Sequence, residues 1–307
     1  MSGPFQLHQY PVFEEGVFQS NPALFDRFAH FVSPGIRERF RVAWETLPRH
    51  EGTVTWPMVI GPGLSAGTHP GADNVFIEVM LGSNSFVYDS DCVYVNPSQR
   101  VFAISDPPGI SDASRRLFTR LDRRLQEGTA ADLEGILNGL HCETSNEDGA
   151  TLTLLALPEN GPAVAFVAGD TYLYHGNLSH RELTVIQGIP EFFGTPHTYL
   201  APIPIQPTAG DFFIIASDGI LSIRGNDREK TLAEVLRERV DGDLEGFTLR
   251  AIQDSNRCLE ESIYDRSVTR FGGSDNVSAL LVYPEGLPQA GPRESFILGG
   301  YVTRRPA

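Results

Sequence analysis

Apolar residues in this chain follow two spacings, one typical of strands and one typical of helices. Helical spacing runs through residues 21–47 with a break at Pro34-Gly35, which predicts two helices there. Further helices are predicted at 111–127, 130–142, 229–240 and 246–264. Strands are predicted at 74–80, 85–88, 101–105, 150–157, 163–168, 171–175, 182–187, 198–204, 212–217 and 279–283. Residues 1–20 show neither spacing and are expected to be irregular.

The order of these elements bears on the fold class. Strands arrive in consecutive blocks and helices arrive in pairs, whereas a doubly wound sheet would alternate the two. The order therefore favours an α+β sandwich of antiparallel sheets flanked by helical hairpins. No linker divides the chain after residue 50. We expect residues 1–50 to be a helical extension packed on a domain of residues 51–307.

Composition narrows the class of protein. The chain has 307 residues, of which 41% are hydrophobic and 21% charged, as in ordinary globular proteins. We expect no membrane span, because no apolar run reaches about 18 residues, and a cytoplasmic location, because no export signal is visible. A formal net charge of -15 disfavours nucleic acid as a partner. The three cysteines match no zinc motif.

Four aspartates stand at the ends of apolar strands beside turn residues. They are Asp73, Asp106, Asp218 and Asp275. Each one alone is most simply a turn former or a helix cap. If the four strand ends converge, their charges would repel unless cations neutralise them. Carboxylate oxygens suit magnesium or manganese, and a pair of such ions can hold a hydroxide for attack on a phosphoryl group.

Four motifs resemble the PPM-type metal-dependent serine/threonine phosphatases, the protein phosphatase 2C family. In chain order they are Gly149-Ala150-Thr151-Leu152, AGDTYLYHGN from Ala168, GDFFIIASDGI from Gly210 and GGSDNVSALLVY from Gly272. The resemblance runs from about Gly67 to Tyr283. It implies a four-layer α-β-β-α sandwich, in which two antiparallel sheets are flanked by helices, with a metal centre at one edge.

The resemblance also implies roles for individual residues. Asp106 would bridge two Mn²⁺ or Mg²⁺ ions, and the carbonyl of Pro107 would serve one of them. Asp218 and Asp275 would complete the coordination of one ion, and Asp73 would contact metal-bound water. A third ion is left open. Asp73 and Asp106 are thus candidate catalytic residues as well as candidate metal ligands.

Three departures mark the chain as a divergent member. Ala72 stands before Asp73 where the family has an acidic or amide residue. The turn after Asp106 reads Pro107-Pro108-Gly109 in place of Gly-His-Gly or Gly-Met-Gly. The family's phosphate-binding arginine is missing, and the same stretch offers His69. His69 is therefore a candidate phosphate contact, although a plain exposed loop histidine explains it equally simply.

Three functions remain open at this point. The first is a phosphatase that hydrolyses phosphoserine or phosphothreonine in a signalling protein through metal-activated water. The second is a pseudophosphatase that keeps the fold as a binding or regulatory module. The third is a phosphomonoesterase for small molecules. A phosphorylated protein is the expected partner, and the sequence leaves the oligomeric state unknown.

Overall fold

The structure, a computed structural model, describes most of the predicted strands and two of the helices. The described residues are 4–11, 55–69, 88–108, 111–128, 132–144, 149–179, 182–196, 199–219, 276–288 and 294–302. The helices predicted at 21–47, 229–240 and 246–264, the strand at 74–80 and most of that at 85–88 lie outside these residues.

Thirteen strands and two helices make up the regular structure of the described residues. The first half contains β1 Gln6–Pro11, β2 Thr55–Gly61, β3 Leu64–His69, β4 Tyr88–Asn96, β5 Val101–Ser105, α1 Ala113–Glu127 and α2 Leu133–Thr144. The second half contains β6 Leu152–Ala156, β7 Ala163–Ala168, β8 Tyr172–Asn177, β9 Glu182–Ile186, β10 Ile203–Ile205, β11 Asp211–Ala216, β12 Val277–Val282 and β13 Phe296–Val302.

These strands form two antiparallel sheets, as the sequence predicts. Within the described ranges, the first sheet has the order β1-β2-β3-β12-β11-β8-β9 and the second has the order β10-β7-β6-β5-β4-β13. The β7–β8 hairpin crosses from the second sheet to the first. The α+β sandwich is therefore confirmed.

Alternation along the strands explains how two sheets and a helical layer pack together. In β5, Phe102 and Ile104 face the core between the sheets, where they join Phe213 and Leu280 of the other sheet. The intervening Val101 and Ala103 face the helices, together with the apolar stripe of α1 that includes Leu117, Leu121 and Leu125. Burial on both faces explains why β5 reads as an unbroken apolar run. The second outer helical layer is predicted from residues outside the described ones.

Two edge strands differ from the sequence prediction. The expectation that residues 1–20 are irregular is wrong for Gln6–Pro11, which pair with β2 in antiparallel register. Phe296–Val302, for which no strand is predicted, pair with β4. Among the strands that the structure describes, each of these two lies at the edge of its sheet and pairs on one side only. Apolar and polar residues need not alternate along such a strand. The division of the chain at residue 50 stays a prediction, although β1 joins the sheet that follows it.

Among the described residues, no helix has the length and apolar character that crossing a bilayer requires.

Candidate active site

Several strand ends of both sheets meet at one edge of the sandwich. In the second sheet, β5 ends at Ser105, opposite Cys92 of β4. In the first sheet, Val277 at the start of β12 pairs with His69 at the end of β3. Two hydrogen-bonded contacts join the sheets at this edge. The Thr153 and Thr171 hydroxyls lie 2.8 Å apart, and the Ser90 amide donates to Asn276 Oδ1 at 3.2 Å.

Asp106 stands directly after β5 and its main chain is fixed by a threonine. Its amide N–H donates to Thr151 Oγ1 at 2.7 Å, and its carbonyl accepts from the Thr151 amide at 2.8 Å. The Ser105 hydroxyl donates to the Thr151 carbonyl at 2.6 Å. The carboxylate is half-buried, and Pro107 behind it is buried. The local backbone therefore presents Asp106 at the edge in a fixed position.

Asp218 stands at the same edge, after β11. The Ser217 amide donates to the Ser278 carbonyl at 3.0 Å, and the Ser278 amide donates to Ser217 Oγ at 2.9 Å. The next residue, Gly219, packs so tightly that a Cβ there would lie 1.8 Å from the Asn276 carbonyl oxygen. The half-buried Asp218 is thus held next to the contact between Gly219 and Asn276.

The pKa of a nearby tyrosine, Tyr172, depends on the charge of Asp218. Tyr172 begins β8, after the Gly169-Asp170 turn in which Gly169 has φ +85°. Burial raises the pKa of the Tyr172 hydroxyl, and the charges of Asp218 and Asp170 raise it further. Asp218 and Asp170 therefore act on the same phenol. Asp170, which the hairpin alone would explain, adds a carboxylate to this edge.

Asp91 is a carboxylate of this edge that the strand-end pattern missed. One register step beyond the Cys92–Ser105 pair, Asp91 of β4 faces the position of Asp106. Asp91 is in step with Val93, which faces the core between the sheets, and only 1% of its surface is exposed. Asp91 precedes its apolar run, CVYV, instead of following one. The sequence signal that could have identified Asp91 is a carboxylate at the position opposite Asp106 in a β4–β5 hairpin.

His69 differs from the sequence expectation. It lies in β3, paired with Val277, and none of its surface is exposed. The interpretation as an exposed loop histidine is wrong, because the small residues of LSAGTH let β3 pair on both sides. Thr68 beside it accepts a hydrogen bond from the Ser278 hydroxyl at 2.8 Å. A phosphate contact by His69 stays a prediction.

Asp73 and Asp275 lie outside the described residues. Within the described ranges, no group of three or more His, Cys, Asp or Glu side chains is arranged to hold a metal ion. The donors at the edge nevertheless fit hard cations, because the half-buried Asp106 and Asp218 offer carboxylate oxygens and Pro107 offers a carbonyl.

Solved structures share this architecture. PppA, a key regulatory component of T6SS in Pseudomonas aeruginosa, matches with a TM-score of 0.52 at 17% identity, over 71% of this chain and 96% of that chain. The Mycobacterium tuberculosis serine/threonine phosphatase PstP matches with a TM-score of 0.50 at 16% identity, over 71% and 96%. A variant of a bacterial serine phosphatase matches with a TM-score of 0.50 at 16% identity, over 72% and 97%.

At these identities the likeness shows the fold alone, and the fold is that of the PPM-type phosphatases. No protein-family model matches the chain, and a search of curated proteins found no significant match.

Proposed function

We propose that this chain, which has the PPM phosphatase fold, hydrolyses phosphoserine or phosphothreonine with water activated by two divalent cations. One observation carries the proposal. The fold brings Asp106 and Asp218, from strands of different sheets, to a single edge, together with the buried Asp91 and the Asp170 turn. Carboxylates that share an edge repel one another where the dielectric constant is low, and bound cations would neutralise this repulsion.

Each residue has a part in this proposal. Asp106 would bridge two Mn²⁺ or Mg²⁺ ions, and Asp218 with Asp275 would complete one coordination sphere. The Pro107 carbonyl would serve the other ion. When bound, such ions supply a hydroxide near neutral pH and stabilise charge on the phosphoryl oxygens. Thr151 keeps the Asp106 main chain in place, so that the carboxylate need not reorganise during the reaction.

The water-binding carboxylate has two candidates. The sequence pattern selects Asp73, and the geometry adds Asp91, which faces Asp106 across the β4–β5 pair. We propose Asp91 as a member of the site alongside Asp73. Asp170, whose charge acts on Tyr172 together with that of Asp218, would be the carboxylate available to a third ion.

A second function is favoured by the turn after Asp106. Pro107 is buried and Pro108 is exposed, and neither can donate a backbone N–H to a phosphate. A pseudophosphatase that binds a phosphorylated partner without turnover would tolerate this turn. A phosphomonoesterase for small molecules is the third candidate, since the same carboxylates would serve it.

The cellular part of the proposal follows from these functions. The partner would be a phosphorylated protein of a cytoplasmic signalling system. Residues 51–307 would form the phosphatase domain, with residues 1–50 packed on it.

Hydrolysis assays with added manganese test the proposal. We expect turnover of an aryl phosphate and of a phosphoserine peptide, lost in Asp218→Asn and in Asp106→Asn. The matched control is Asp132→Asn, a change of the same chemistry at an exposed position. Turnover of the aryl phosphate but of no phosphopeptide would support the small-molecule enzyme.

Calorimetry separates the remaining outcomes. Manganese binding without turnover would support the pseudophosphatase. The absence of both manganese binding and turnover would rule out the enzyme.

A further inference from the structure

An aromatic side chain stands beside the candidate active site on a short segment that we call the strap, residues 189–195. The strap crosses the strand ends of the second sheet. Phe192 on the strap is 36% exposed, and its neighbour Glu191 is also exposed. Isolated exposed apolar residues are common and carry no meaning by themselves. Phe192 differs from such residues in how firmly its backbone is held and in what surrounds its ring.

Backbone hydrogen bonds fix the strap at both ends. The Ile189 amide donates to the Val167 carbonyl at 3.1 Å, and the Ile189 carbonyl accepts from the Gly169 amide at 3.0 Å. Phe193 exchanges two hydrogen bonds with Ala150, at 2.8 Å and 3.2 Å. The strap is held by β7 on one side and by the start of β6 on the other. It therefore has little freedom to move.

A buried histidine holds the far end of the strap. The Gly194 amide donates to His141 Nδ1 at 3.0 Å, and the His141 ring meets Phe193 edge-on at 5.1 Å between centroids. Gly194 has φ +91°, a conformation that favours glycine. The strap is therefore anchored to α2 as well as to the sheet.

Two glycines of the active-site edge make room for Phe192. A Cβ on Gly149 would lie 3.2 Å from Phe192 Cβ, and a Cβ on Gly169 would lie 3.2 Å from Phe192 Cδ1. The same Cβ on Gly169 would lie 2.8 Å from Thr151 Cγ2. The ring thus packs beside the threonine that fixes Asp106, close to where a phosphoryl group would react.

The negative charges around the Phe192 ring favour a cationic ligand. Glu191 adjoins Phe192 on the strap, Asp170 follows the glycine that supports the ring, and the whole chain carries a net charge of -15. An acidic side chain would be repelled here. A cation is attracted by the face of an aromatic ring and by nearby carboxylates.

We propose that Phe192 and Glu191 bind a basic side chain, arginine or lysine, next to the phosphorylated residue of the substrate. The proposal rests on the proposed phosphatase function and specifies its substrate class. The ring would contact the cation, and Glu191 would provide the opposite charge.

Two phosphoserine peptides that differ at the flanking position test the proposal. One carries arginine and the other carries norleucine, which is apolar and uncharged. We expect a higher kcat/KM for the arginine peptide. Phe192→Leu should lower the arginine-to-norleucine ratio about two- to fivefold, which is the effect of an exposed cation–π contact. Phe192→Tyr, which retains the ring, should preserve the ratio.

Further variants control for fold and charge. Leu178→Ala removes a side chain that is 49% exposed at the β8–β9 turn, at the opposite edge, and should leave the ratio unchanged. Glu191→Gln should lower it, with the loss shrinking at high salt. A preference for norleucine would show an apolar contact instead. An unchanged ratio in Phe192→Leu would overturn the proposal.

Failure of the phosphatase function can be told apart from failure of this inference. An aryl phosphate has no flanking side chain, so its hydrolysis by the wild-type protein tests the phosphatase function without testing the contact at Phe192. If the wild-type protein hydrolyses nothing, binding of labelled peptides to the wild-type protein with manganese, measured by fluorescence anisotropy, still tests the inference. The ratio of Kd values should then show the same dependence on Phe192, and equal Kd values for both peptides would sink the inference.

Discussion

Two aspartates flank the same strand, β11, and the structure treats them differently. Asp211 begins the strand at one edge of the sandwich, and Asp218 lies two residues beyond its end at the other. Asp211 is 3% exposed, and nitrogen donors surround its carboxylate. Oδ1 accepts from Asn177 Nδ2 at 2.6 Å, and Oδ2 accepts from the Thr208 amide at 2.7 Å and lies 2.8 Å from His175 Nε2.

Their surroundings give the two carboxylates opposite electrostatic roles. Burial acts to raise the pKa of Asp211, but the hydrogen bonds from Asn177, Thr208 and His175 outweigh it, so that the net shift is downward. At the other edge, burial raises the pKa of Tyr172, and the negative charges of Asp218 and Asp170 raise it further. A carboxylate beside a glycine at a strand end is therefore a structural acceptor or a candidate metal ligand according to its neighbours.

The largest expected effect concerns Asp218. Asp218→Asn should reduce manganese-dependent hydrolysis at least about 100-fold, because a ligand of a catalytic ion is lost. The melting temperature should not fall, since the substitution relieves repulsion from Asp170. Steady-state kinetics and thermal melts measure the two quantities. Full activity in this variant would remove Asp218 from the site.

The reciprocal change is Asp211→Asn. It replaces an acceptor of several hydrogen bonds by a group that also donates, and should lower the free energy of unfolding by about 2 kcal/mol. Activity per folded molecule should be kept. Urea denaturation measures the loss, and the exposed Asp132→Asn should stay within about 0.5 kcal/mol of wild type. Equal stabilities of the Asp211 and Asp132 variants would contradict the comparison.

Thr151 has a structural side chain that bears on the candidate site, because its hydroxyl holds the main chain of the candidate catalytic Asp106. Thr151→Val removes the acceptor of the Asp106 amide, which should lower stability by about 1 kcal/mol and hydrolysis about tenfold. Thr151→Ser keeps the hydroxyl and should retain most of the activity. If the valine variant loses stability but no activity, fixing the Asp106 backbone does not matter for the reaction.

The smallest effect is in the pH dependence of stability. The folded pKa of Asp211 lies below its ordinary value of 3.8, so its contribution is present above that value. The contribution is lost as the pH falls through the folded pKa. The difference in unfolding free energy between wild type and Asp211→Asn should be constant near pH 6 and shrink below about pH 4. A difference that is flat down to pH 3 would contradict the assignment.

The sequence predicts best those strands that are buried on both faces. β5, β7 and β11 are continuous apolar runs, and their positions agree with the structure within a residue. β3 was not predicted, because LSAGTH carries small and polar side chains although every residue in it is buried. The edge strands β1 and β13 were not predicted, because QLHQYP and FILGGYV show no strict alternation of apolar and polar residues.

The candidate site was predictable where a carboxylate follows an apolar run, as Asp106 and Asp218 do. Asp91 was not, because its position depends on the register of β4 against β5, a pairing that spacing alone does not reveal. The strap was not predictable either. Its location depends on hydrogen bonds from the backbone amides of Phe193 and Gly194 to Ala150 and His141, and no pattern of side chains in the sequence marks these contacts.

The contact between Gly219 and the carbonyl of Asn276 has a consequence for the tolerance of the chain to substitution. Residues 57 positions apart in the chain share a space that admits no β-carbon. A library randomised at position 219 and selected for folded, soluble protein should therefore return glycine alone, with or without selection for activity. Gly219 would persist even in descendants without catalysis, so a glycine at this position identifies the architecture before it identifies the chemistry.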